Sequence, residues 1–194
     1  MTVLRNEYRL FSSEEYAEMA RQGFFEGERV ELIEGRILKM SPHSPQHRYA
    51  IAFLNNFFVK TFGDTHLVQV QLPLSVGSRS EPEPDFSFVT VAQAKEAKRH
   101  PTCPDLVIEI AVSSLLFDST EKAGLYASAK IPEYWILNLE GDCLEVYREP
   151  KESSAAPSGW VYGQKQTLVA GEEVTPVILR PAVSVTSLFS WREA

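Results

Sequence analysis

The sequence predicts a mixed α/β fold of the α+β kind, a central sheet flanked by helices and carrying additional hairpins. Three observations lead there. Apolar runs with strand character outnumber helical stretches, the helical stretches fall between the strands, and 194 residues at 44% hydrophobic suffice for one sizeable core. One domain is expected over 1–194, with a helix and hairpin at 8–40, a core at 44–148 and C-terminal strands at 159–189.

Ser12 followed by Glu15 is a capping-box signal, so SEEYAEMARQG reads as a short helix that stops near Gly23. VELIEGRILKM holds two alternating runs around Glu34-Gly35, the pattern of a β-hairpin. Ser44-Pro45 gives a cap and a first helical position; Ala50, Ile51, Leu54, Phe57, Phe58 and Phe62 then recur at helical spacing up to Gly63. HLVQVQLPLSV and DFSFV read as strands, VAQAKEAKRH as a short helix with a basic end, and LVIEIAV as a buried strand. DSTEKAGLYASA is expected to form one helix, and EYWILNLEGDCLEVYRE a pair of strands turning at Gly141-Asp142. EPKESSAAPSG, residues 149–159, has the composition of a surface loop, after which GWVYGQ and EEVTPVIL supply further strands.

The formal net charge of -7 argues against a protein that coats nucleic acid without regard to sequence, since such binding rests on many Lys and Arg contacts. It leaves room for a nucleic-acid enzyme, because a local basic patch or a bound divalent cation can reverse the field over one site. Cys103 and Cys143 lack the spacing of a zinc site or a disulfide framework and read as small core residues. No apolar run reaches the roughly 18 residues of a membrane span, and MTVLRNEYRLFSSEE turns acidic where a signal peptide would be apolar, so a cytoplasmic protein without membrane contact is expected.

The chemical interest lies in acids placed where acids are costly. Glu109 stands in the middle of PDLVIEIAVSS, and Asp85 directly precedes the apolar FSFV. If those strands are neighbours, the two carboxylates converge at one end of the sheet. Converging carboxylates need a proton or a hard cation between them, and their oxygens suit magnesium or manganese. Asp118, Lys122 and Tyr126 follow at i, i+4, i+8, which puts them on one helical face and lets Lys122 reach back toward the strand ends.

PEPDFSFV, PDLVIEIAVSS and FDSTEKAGLYASAKIPEYWIL, in that order and preceded by VELIEGRILKMSPHSPQH, resemble the signature of the Uma-type restriction-endonuclease family within the PD-(D/E)XK nuclease superfamily. The resemblance runs from about Tyr8 to Phe189. It implies a restriction-endonuclease-like fold and a magnesium-dependent endodeoxyribonuclease, with Mn2+ as a substitute ion, DNA as partner and no organic cofactor. It further implies Asp85 and Glu109 as metal ligands, the backbone carbonyl of Ile110 as another, Lys122 as the catalytic lysine, and Glu34 as an acid that completes the site directly or through water. The wider superfamily places its lysine two residues after the glutamate, where this chain has Ala111; the Uma-type pattern places it on the following helix. Ala111-Val112-Ser113-Ser114 also departs from the Ser-Pro-Ser stretch often found after the glutamate strand.

Each residue also has a plainer reading. Glu109 could be a structural ion pair, Asp85 a turn residue, Lys122 half of a surface pair with Asp118, and Glu34 the polar tip of a hairpin. His47 and the basic cluster Lys95, Lys98, Arg99 and His100 are weaker candidates for substrate phosphate contacts. Tyr126, Tyr134 and Trp135 read as core. Two other functions stay open: a catalytically silent binding or assembly module on the same fold, and a metal-free hydrolase that uses two carboxylates as acid and base. A homodimer is expected on the general ground that cutting both strands of a duplex suits two-fold symmetry.

Overall fold

The computed structural model describes residues 8–97 and 99–192. The first helix, α1 (Ser13–Arg21), opens on the expected box: Ser12 accepts from the Glu15 N–H and the Glu15 carboxylate accepts from the Ser12 N–H. Strands β1 (Val30–Ile33) and β2 (Arg36–Lys39) pair antiparallel, Ile33 opposite Arg36. Their two-residue turn needs left-handed backbone at both positions, and Glu34 and Gly35 have φ of 49° and 80°. The long helix α2 (Pro45–Phe62) is capped by Ser44 and buries Ala50, Leu54, Phe58 and Phe62 as one stripe.

Six strands form the main sheet in the order β3 (Leu67–Val70), β4 (Phe86–Val89), β5 (Leu106–Ala111), β6 (Glu133–Asn138), β7 (Cys143–Glu152) and β8 (Trp160–Val169). β5 and β6 are parallel, and every other neighbouring pair is antiparallel. The parallel pair requires a crossover, which α4 (Leu115–Phe117), a π-helical turn (Asp118–Lys122) and α5 (Ala123–Ser128) provide. The short helix α3 (Val91–Glu96) joins β4 to β5. Strands β9 (Glu173–Val174) and β10 (Val183–Ser184) form a two-residue ladder ahead of α6 (Val185–Phe189) and a closing 3-10 turn.

Alternation along β5 decides which face each side chain serves. Leu106, Ile108 and Ile110 join the cluster built by α2 and the C-terminal Val185, Leu188 and Trp191. Val107 and Ala111 join the opposite cluster with Ala123, Tyr126, Tyr134 and Ile136. Glu109 falls between those two, so its carboxylate faces the crossover. Phe58 anchors the first layer, packing edge-on against Phe86 and Phe88 at centroid distances of 5.1 and 5.3 Å.

Five expectations change: Cys103, read as core, is exposed, and four concern the elements. The strand predicted over 66–76 ends at Val70, because Gln71 turns into left-handed backbone at φ 50°. The single helix expected over 118–129 is interrupted by the π turn: the Ala123 N–H reaches back five residues to the Asp118 carbonyl, on which the Tyr134 hydroxyl also sits at 3.1 Å. EEVTPVIL contributes only β9 as strand, and the loop expected over 149–159 shrinks because β7 pairs with β8 out to Glu152 opposite Trp160. Among the described residues no helix is long and apolar enough to cross a membrane.

Candidate active site

The β4–β5 register pairs Phe86 with Ile108 and thereby sets Asp85 opposite Glu109. Both are almost fully buried. Pro84 and the end of β4 hold Asp85 at the rim, where its Oδ2 accepts the Ile110 N–H at 2.8 Å and lies 3.0 Å from His47 Nε2. Gln71 Nε2 donates to the other oxygen at 3.1 Å. The Asp85 N–H is directed at Glu109 Oε2 at 3.4 Å, so the two acids are linked through the backbone of one and the side chain of the other.

Glu109 Oε1 accepts from Lys122 Nζ at 2.9 Å and from the Tyr126 hydroxyl at 2.8 Å. Lys122 is 5% exposed and lies 3.5 Å from Glu31 Oε2, a carboxylate delivered by β1. Asp118, one π turn before Lys122, accepts from Ser114 Oγ at 2.5 Å. A cleft of about 460 Å³ opens onto this set, lined among others by Glu31, His47, Asp85, Glu109, Asp118 and Lys122.

The charges do not balance inside the cluster. Burial pushes the Glu109 carboxyl up to about 8, with Asp118, Asp85 and Glu31 adding to the effect and Lys122 opposing it. Burial likewise raises Asp118 above the ordinary carboxylate range against the pull of Lys122 and Ser114. For Asp85 burial also acts upward, but the His47 contact, the Ile110 N–H and Lys122 outweigh it and hold the group below its usual value. Burial would discharge Lys122, yet Glu109, Glu31 and Asp118 keep its ammonium charged well beyond the usual range. One ammonium among four buried carboxyls leaves a surplus of negative charge that a proton or a cation must meet.

The donors fit a hard divalent ion in kind, since Glu31, Glu83, Asp85, Glu109 and Asp118 line the cleft and magnesium takes one or two carboxylates and completes its shell with water and substrate phosphate oxygens. They do not form a closed cage: among the described residues no three His, Cys, Asp or Glu side chains are grouped to hold an ion between them.

Of the residues singled out in the sequence, Asp85, Glu109, Ile110, Lys122 and His47 come together here. Glu34 does not. It occupies the exposed hairpin tip, paired with Arg36 at 3.7 Å, and lines a separate cavity with Arg79 and Leu125. The acid that β1 and β2 deliver to the cleft is Glu31, because Glu31 is on the strand's inward side whereas the turn residue points away. Lys95 and Arg99 are exposed and outside the cleft; Arg99 is held by Glu81 at 2.8 Å and by the Ser13 carbonyl. Lys98 lies outside the described residues. Glu31 shows in the sequence the same anomaly as Glu109, an acid within an apolar run (VELI), and that signal would have found it. Tyr126 is core, as expected from its spacing, and is also a donor to Glu109.

Comparison with known proteins agrees with this architecture. A family model described as Uma2, "Putative restriction endonuclease", matches residues 13–183. Among solved structures, a "putative nuclease belonging to DUF820" from Anabaena variabilis ATCC 29413 superposes with a TM-score of 0.66 at 17% identity, covering 93% of this chain and 98% of its own. The type IIG restriction endonuclease BpuSI aligns at a TM-score of 0.41 and 19% identity, over 75% of this chain and 15% of that one. A search of the curated proteins finds no significant match. With the family model spanning most of its length, this chain belongs to the Uma2 family of putative restriction endonucleases.

Proposed function

We propose that this chain is a metal-dependent DNA endonuclease that hydrolyses phosphodiester bonds, using magnesium with manganese as a substitute. The observation that supports this most is the meeting of Asp85, Glu109 and Lys122 on one buried rim, in a cleft with more carboxylates than cations. Asp85 and Glu109, with the Ile110 carbonyl, would hold the ion. When bound, such an ion acts as Lewis acid and makes water a nucleophile at neutral pH.

The remaining roles belong to the protein. Lys122 orients the attacking water or supports the negative charge that builds on the phosphate, and its position is maintained by Glu31 and Glu109 on either side. Tyr126 keeps Glu109 Oε1 from rotating away, and His47 does the same for Asp85 Oδ2. Seating Glu109 on a sheet strand rather than a loop limits the movement of its carboxylate. DNA is the substrate class that the family description favours, and the acidic net charge makes the metal cleft, not the whole surface, the place where phosphate is received. Two copies related by a two-fold axis would serve both strands of a duplex, which sedimentation of the protein with and without DNA tests.

The deciding experiment incubates supercoiled plasmid and a single-stranded circle with the purified protein in magnesium, manganese or EDTA, beside Glu109→Ala and Lys122→Ala. Cutting that requires metal and disappears in both variants is the expected result. Metal binding through Glu109 without any cutting would favour the silent nuclease-fold module, and cutting that persists in EDTA would favour the metal-free carboxylate pair.

A further inference from the structure

We propose that Gln71 is a positioning residue of this site, which holds the Asp85 carboxylate from outside the ion-facing set and for which the chain retains a left-handed turn. The inference rests on the metal-site reading above. Gln71 grips Asp85 twice: its backbone N–H donates to the Asp85 carbonyl at 3.2 Å and its side-chain Nε2 to Oδ1 at 3.1 Å. An ionised carboxylate only accepts, so the amide must present its nitrogen there.

The same Nε2 is 3.1 Å from His43 Nε2, a ring nitrogen that Arg29 also approaches at 2.6 Å. Two donors on one ring nitrogen make it the unprotonated one. Hydrogen bonds therefore run from Arg29 to His43, and from Gln71 to both His43 and Asp85, while the His43 ring packs at a tilt of 60°, 4.5 Å between centroids, against His47, the partner of Asp85 Oδ2. Asp85 is thus fixed at each oxygen by a side chain that belongs to neither strand of the β4–β5 pair.

The backbone supplies the second argument. Gln71 has φ 50°, a conformation that side chains bearing a Cβ rarely adopt and that glycine or asparagine fill at lower cost. If position 71 served only to end β3, either of those would suit it better. Either would keep the backbone bond, but glycine has no side-chain donor for Asp85 Oδ1 and asparagine's is one methylene shorter. Strained residues gather at sites where geometry matters more than stability, and partners that orient metal ligands typically account for 10–100-fold in metal affinity.

The test uses the full chain with Gln71→Gly and Gln71→Asn, measuring Mn2+ affinity by calorimetry, the thermal midpoint, and, without metal, the hydrogen exchange of the Ile110 amide that donates to Asp85. Expected are Mn2+ binding weaker by about tenfold or more in both variants and faster Ile110 exchange, with a single cooperative melt showing that each variant still folds. Unchanged Mn2+ affinity with unchanged Ile110 exchange would reduce Gln71 to a turn residue. Weaker Mn2+ binding with unchanged Ile110 exchange would mean that Gln71 does not act through Asp85 and would equally overturn the proposal. If the natural chain binds no Mn2+, the nuclease reading fails, and the Ile110 exchange still decides the role of Gln71.

Discussion

Lys122 Nζ stands 2.9 Å from Glu109 Oε1 and 3.5 Å from Glu31 Oε2, a buried ammonium shared by acids from two separate sheets. A pair of this kind contributes little net stability relative to an apolar replacement of both partners, yet it is costly to break from one side. Its persistence at the mouth of a cleft is what a site, rather than a core, would require.

Replacing Lys122 by Met should therefore cost about 3–5 kcal/mol at pH 8, because the acids around it lose their cation. Lys122 is the group that pulls Glu109 down, so in the variant Glu109 should keep its proton to a higher pH than in the natural chain. Urea unfolding at pH 8 measures the loss and an NMR titration of the Glu109 carboxyl carbon the shift; an unmoved titration would show that Glu109 does not depend on Lys122 for its charge.

The pH dependence of the metal-free protein has a definite sign. Glu109 is raised from 4.5 to about 8 in the fold, so between those values the folded chain holds a proton that the unfolded chain has released. This group's contribution is fully present below the lower value and is lost as pH rises through about 8. Glu109→Gln should flatten that part of the stability profile, and saturating Mn2+ should flatten it in the natural chain. Chemical denaturation across pH 5 to 8, with and without Mn2+, gives the answer.

Glu31 and Glu34 are three residues apart and separate cleanly by experiment. Glu31→Gln should weaken metal binding or cleavage by tenfold or more, as loss of a partner to a catalytic group typically does. Glu34→Asn should leave cleavage within about twofold, like other surface changes, and raise the thermal midpoint, since Asn-Gly is favoured in a turn where both residues have positive φ. The opposite pattern would return Glu34 to the site.

Tyr126→Phe removes one donor from Glu109 and nothing from the packing around the ring. A loss of about 1.5–3 kcal/mol is expected if the carboxylate is charged, together with a shift of the Glu109 titration to higher pH. Thermal unfolding and an NMR titration of the carboxyl carbon report the two effects separately.

The legible part of this protein was local. Ser12 with Glu15, Ser44-Pro45 and Glu34-Gly35 specify helix starts and a hairpin through short-range hydrogen bonds and allowed dihedrals, and the structure contains each of them. Glu109 announced itself because a charge inside an apolar run has a desolvation cost that calls for an explanation. The same signal marks Glu31 in VELI; its partner was left to the tertiary structure, since docking of the hairpin sets Glu31, within the buried strand, beside Lys122 and leaves Glu34 in the exposed turn. The tertiary structure also decided the π turn, whose carbonyl is held by Tyr134 from β6, and the role of Gln71, which depends on His43 and Asp85 from other parts of the chain. Propensity and periodicity act over a few neighbouring residues. The partners that set these three features are 14 or more positions away, and only packing brings them into reach.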